Sequence, residues 1–177
     1  MFLTIGLFLI SFNLHSQDTK LSKDEQKEAR RNKRYYNFQV LDTILQSKSF
    51  VLEADFLENQ FGNRRPVLSN LNFIMLDSTN AVLQTGSNSF SGNNGVGGVT
   101  AQGNVGGLKI MKNIKNLSFF LRFTVVSNIG IYDVAMTINS DRVARATISG
   151  LSRGKLIYDG RILPKYDSSV FKGRNSI

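Results

Sequence analysis

The sequence predicts an α+β domain: one N-terminal helix packed on a mainly antiparallel curled β-sheet or small β-sandwich of about seven or eight strands. Three observations carry this. The hydrophobic period is near 3.6 before Phe50 and 2 after it, the connections between the later runs are short and polar, and a cluster of glycines interrupts the pattern in mid-chain. A chain of 177 residues, 41% hydrophobic and 20% charged, has the length and composition of a single domain with an ordinary core.

The helix comes first. Phe38, Leu41 and Leu45 recur at i, i+3 and i+7 with Ile44 beside them, so Tyr35 to Lys48 forms a helix with one buried face. Residues 17–34 are charged, helix-prone and without an apolar stripe. They read as a helical lead-in standing in solvent.

At Phe50 the alternation begins: Phe50, Leu52, Ala54 and Phe56 against Val51, Glu53 and Asp55. Further alternating runs cover Leu71 to Leu76, Ala81 to Thr85, Gly97 to Met111, Leu117 to Val126, Ile131 to Ile138, Val143 to Ile148 and Lys155 to Leu163. Phe119, Leu121, Phe123 and Val125 mark one apolar face, opposite Ser118, Arg122 and Thr124. Connections such as Asp77-Ser78-Thr79-Asn80 and Asn139-Ser140-Asp141 leave no room for crossover helices, which makes the sheet antiparallel. Eight of the 15 glycines fall between Gly86 and Gly107. Within that stretch Gly95, Gly97, Gly98 and Gly103 read as structural glycines, serving a bulge, a tight bend or a close backbone approach.

Phe2 to Leu14 is an apolar run followed by Ser16 and Gln17. It is too short to span a bilayer, which takes about 20 residues, and it has the length of a secretory h-region. The expected division is therefore a signal peptide over residues 1–16, the lead-in over 17–34, one domain over 35–164 and a basic tail over 165–177. Cleavage between Ser16 and Gln17 places the mature protein in the periplasm or outside the cell, and with no cysteine it is not a lipoprotein.

Asn94-Gly95-Val96-Gly97-Gly98-Val99-Thr100, followed by Gly103-Asn104-Val105, resembles the signature of a secreted Bacteroidetes family catalogued as domain of unknown function 4251. Phe50 to Ala54, Asn72-Phe73-Ile74, Ala144 to Ser149 and Gly160 to Pro164 are similar to its other blocks in the same order. The resemblance implies export and a compact helix-plus-β domain, and it supplies no catalytic residues to carry over.

Composition narrows the chemistry further. Cysteine is absent and the sole histidine, His15, lies in the leader, which removes thiolate and imidazole chemistry from the mature chain. Ser152-x-x-Lys155 and Ser169-x-x-Lys172 match S-x-x-K, but in a chain rich in Ser and Lys chance alone supplies about one such match, so the two carry almost no information. The glycine segment is neither a dinucleotide fingerprint nor a P-loop. Glu53, Asp55 and Glu58 offer carboxylates near one strand, as a solvated strand face also would. The expectation is a non-catalytic binding or structural module without cofactor or metal, with a carboxylate-dependent enzyme as an alternative.

Charge supplies the remaining signal. The net charge is +9, and the excess sits at the two ends. Arg142, Arg145, Arg153, Lys155 and Arg161 are candidate anion contacts for an acidic polysaccharide or a membrane-surface phosphate. Nucleic acid is not expected, because aromatic and basic residues are not interleaved as single-strand binding needs.

Overall fold

The computed structural model describes residues 22–87, 94–151 and 154–176. The expected leader, its cleavage point and Arg153 lie outside the described residues. One helix, α1 (Lys23–Gln46), runs through both the charged lead-in and the segment expected from Tyr35 onward. A capping box starts it: Glu25 N donates to Ser22 Oγ at 3.2 Å and Ser22 N donates to Glu25 Oε2 at 2.7 Å. Hydrogen bonding to the carboxyl from Ser22, from its backbone first and its side chain second, holds Glu25 below the usual carboxylate range. The helix is exposed as far as Tyr36 and buries Phe38, Leu41, Ile44 and Leu45, the face its periodicity marks. Ser47 Oγ closes the last turn on Ile44 O at 2.7 Å, and Lys48, at φ 53°, swings the chain into the first strand.

Among the described residues nine strands follow: β1 (Ser49–Asn59), β2 (Arg64–Pro66), β3 (Phe73–Asp77), β4 (Asn80–Gln84), β5 (Thr100–Asn113), β6 (Ser118–Ser127), β7 (Gly130–Asn139), β8 (Val143–Leu151) and β9 (Gly154–Pro164). All pairings are antiparallel, and from β3 onward each strand pairs with the next. The last strand then returns to the first, with Phe50 opposite Pro164 and Asn59 opposite Leu156. Closure corrects the expected curled sheet or sandwich: β1 and β3 to β9 form an eight-stranded barrel. β1 makes this possible by pairing with β9 along one edge, and with β3 and then the short β2 along the other.

Closing so small a barrel demands strong coiling, which bulges and strand glycines provide. Register shifts fall between Ala54 and Phe56, Gly106 and Lys109, and Ile148 and Leu151. At Gly160 a Cβ would lie 1.8 Å from Glu53 O, and at Gly103 it would lie 2.1 Å from Val126 O. Only glycine lets these backbones approach so closely.

The inward face is apolar. Phe119, Leu121, Phe123 and Val125 on β6 meet Tyr132, Val134, Met136 and Ile138 on β7 in the core, while Arg122, Asp133, Thr137 and Arg145 face out. This is the reverse of a transmembrane barrel, whose apolar band faces outward. α1 lies across one end. Phe38 stacks on Phe119 with ring centroids 4.8 Å apart, Lys112 Nζ donates to Asp42 Oδ2 at 2.5 Å, and Asn37 Nδ2 donates to Asp141 Oδ1 at 3.2 Å. The start of β6, the end of β5 and the β7–β8 turn are thus all held by the helix.

The tail leaves β9 through a 3₁₀ turn (Lys165–Asp167) and lies over the outside of β1, β3 and β4, where Val170 packs against a second small core of Val51, Phe73 and Val82. Gln84, fully buried beneath it, donates to Leu71 O and Phe171 O and accepts from Thr100 Oγ1 and Gly173 N. All four hydrogen-bonding positions of this amide are satisfied, as a buried side chain requires.

Candidate binding site at the open mouth

The barrel end away from α1 is built by the last residues of β4, the first of β5, and the parts of β7, β8 and β9 nearest that rim. Interior positions here mix large side chains such as Tyr132 and Tyr158 with the small Ala101. They leave an apolar cavity of about 220 Å³, lined by Leu83, Thr85, Val99, Ala101, Tyr132, Ile148, Leu156 and Tyr158. Register explains the set: Leu83 lies opposite Ala101 and Ile148 opposite Leu156, so each pair points inward together. Tyr158 OH donates to Gln84 O at 3.0 Å, and burial pushes its phenol above the usual range. Tyr132 is also pushed up by burial, and its OH donates a long hydrogen bond, 3.4 Å, to Ile129 O.

Thr85 and Leu156 also border an adjoining hollow of about 430 Å³ whose wall is mixed, with Leu57 and Val67 beside the polar Asn59, Asn63, Arg65, Asn72 and Ser87. Arg65 reaches this vestibule through register. It is paired with Leu57, an inward position, and so sits on the barrel-facing side of β2. Its neighbour Arg64 turns outward, 3.9 Å above the Phe56 ring and 3.3 Å from Asp159 Oδ2. Among the described residues no carboxylate pairs with Arg65.

The glycine segment forms one wall of the mouth, folded around a buried asparagine. Asn94 Nδ2 donates to Thr85 O (2.9 Å) and Thr100 Oγ1 (3.0 Å), while its Oδ1 accepts from Val96 N (3.1 Å) and Gly98 N (3.0 Å). Wrapping the chain so tightly puts Gly95 and Gly97 at φ +74° and +76°, and a Cβ on Gly98 would lie 2.2 Å from Thr85 O. These three glycines therefore shape the turn before β5, whereas Gly103 serves the close approach of β5 to β6 described above. The expected strand from Gly97 starts only at Thr100, because the turn consumes the intervening residues. Asn94, Asn72 and Gln84 are the residues that composition and periodicity missed: a polar residue inside a loop or strand pattern gives no sign of burial until its partners are known.

Among the described residues the candidate anion contacts Arg142, Arg145, Lys155 and Arg161 do not gather at one place. Arg145 is neutralised on the outer wall, with NH2 2.8 Å from Glu58 Oε2 and NH1 2.8 Å from Asp159 Oδ2. Arg142 and Arg161 lie toward the helix end, since Arg161 is opposite Val143. Lys155 is six residues back along β9, about 20 Å from Arg161 at the rise of a strand. Of the carboxylates, Glu58 holds Arg145, Glu53 Oε1 accepts from Ser168 Oγ at 2.6 Å, and Asp55 is exposed at the β1 bulge. They face the outer wall and bear no relation to the cavity. Among the described residues no three His, Asp or Glu side chains come together as a metal site.

No curated protein matches the chain. The crystal structure of a DUF4251 family protein from Bacteroides eggerthii is similar, with a TM-score of 0.64 and 27% identity over 77% of this chain and 93% of that one. The family model described as Domain of unknown function (DUF4251) matches residues 32–162, which include all of the barrel except its last two residues and more than half of the helix. By that match, and with a solved relative of the same fold, the chain belongs to the DUF4251 family.

Proposed function

We propose that this protein is an exported, non-catalytic binding module, periplasmic or surface-associated, whose barrel mouth takes up one small, largely apolar molecule. The single observation behind the reading is the 220 Å³ apolar cavity at the end of the barrel that α1 leaves uncovered. Eight-stranded barrels are just wide enough to be filled by side chains or to hold one small ligand, and an apolar void of ~150 Å³ already admits benzene. A short alkyl chain or a single ring matches the space. Export rests on the apolar leader and its Ser16-Gln17 junction.

Calorimetric titration with 1-octanol tests the binding reading. Wild type should bind one equivalent, and Ala101→Leu, which fills the cavity from its floor, should lose at least about tenfold in affinity. Absence of binding to wild type, or equal binding by the two proteins, would contradict it. N-terminal sequencing of the native protein tests export: it should begin at Gln17 or within a few residues of it, and retention of Met1 would overturn that part.

A further inference from the structure

Resting on that reading, we propose that the ligand is an anionic amphiphile: an apolar chain or ring seated in the barrel mouth, with one carboxylate-like headgroup held in the vestibule by Arg65. The two hollows share Thr85 and Leu156 in their walls, which places Arg65 and its polar neighbours beside the cavity lined by Leu83, Ala101 and Ile148. Among the described residues Arg65 is the cation of that wall. Its inward placement follows from the Leu57–Arg65 register, and its five N–H donors meet no carboxylate among the described residues. The contrast with its neighbours is informative: Arg64 and Arg145 on the outer wall share Asp159, and Arg145 also holds Glu58. β2 thus sends one arginine to carboxylates of its own chain and presents the next to the mouth.

The other polar groups do not compete with an anion. Asn72 spends its amide on Leu68 O and Gly86 O and its oxygen on Gly86 N. Ser87 Oγ donates to Gly97 O, and Asn59 Oδ1 is turned to Phe61 N and Asn63 N. Among the described residues no carboxylate lines either hollow. A guanidinium facing such a wall favours a negative headgroup over a neutral one of equal length, and disfavours a positive one.

The test compares octanoate, 1-octanol and octylamine at neutral pH by calorimetry, on wild type, Arg65→Gln and Arg65→Lys. Octanoate should bind wild type about tenfold tighter than octanol, the scale of one charge-assisted hydrogen bond in an open vestibule, and octylamine should bind weakest. Arg65→Gln should erase the preference, with octanoate losing far more affinity than octanol. Arg65→Lys should restore part of it, and the preference should shrink as salt rises from 0.05 to 0.5 M. Equal affinity of wild type for octanoate and octanol, or a preference that survives in Arg65→Gln, would overturn the headgroup assignment while leaving the mouth as an apolar site. Failure of all three probes to bind wild type would overturn both.

Discussion

The two ends of the barrel are made from the same strands and differ in what covers them. At the helix end large side chains interlock, with Phe38 stacked on Phe119 and Leu41, Leu45, Leu121 and Met136 fully buried around them. At the mouth the corresponding layer encloses a cavity of about 220 Å³. Ala101 faces Leu83, two tyrosines carry polar tips, and a glycine turn folded on Asn94 takes the place of a helix. One end is closed by apolar burial, the other is framed by hydrogen bonds around empty space. Such a division lets stability reside at one end and recognition at the other.

The largest effect expected from breaking the comparison is at the plug. Phe38→Ala removes a side chain that is 1% exposed together with its stack on Phe119, and should cost about 3–5 kcal/mol in chemical denaturation. A loss under about 1 kcal/mol would show that the helix does not close the barrel. Gly98→Val comes next. Its Cβ would meet the Thr85 carbonyl at 2.2 Å, backbone against backbone, so the mouth wall must shift and about 1–3 kcal/mol should go with it. Full stability in this variant would mean that the turn around Asn94 is not held as described.

A smaller effect is expected from pH. Burial raises the phenols of Tyr132 and Tyr158 above the ordinary value of about 10. Because their folded values are raised above the unfolded one, their contribution to stability is fully present below pH ~10 and declines as pH climbs beyond it. Absorbance titration should show a delayed tyrosine phase that ends with unfolding, and Tyr158→Phe should diminish it. A titration with no delayed phase would place these side chains in water.

Much of the barrel was legible in the sequence because alternation is a local signal. The β6 face of Phe119, Leu121, Phe123 and Val125 points inward as read, and the helix buries the face given by Phe38, Leu41 and Leu45. β2 escaped because a three-residue strand containing Pro66 has too little pattern to read. Closure escaped for a different reason. The pairing of Phe50 with Pro164 joins residues more than a hundred apart, and nothing in either strand's own alternation names its partner. Gly160 carried a faint signal, since a glycine in a strand marks a close approach, although not which backbone approaches. The site was less legible still. Cationic residues are conspicuous in composition, yet Arg145 answers to Glu58 and Asp159, while Arg65 gains its position only through β2. A cavity is an absence of atoms, so no residue type announces it.

The claim that recognition belongs to the mouth and stability to the plug is tested most directly by mapping backbone amide shifts in ¹⁵N-labelled protein as 1-octanol is added. The account predicts that the perturbed amides cluster at residues 83–85, 99–101, 132, 148 and 156–158, around the cavity, and that they stay still in Ala101→Leu. Amides around Phe38, Asp42, Lys112 and Phe119 should not move. Shifts concentrated at that helix end, or undiminished in Ala101→Leu, would contradict it.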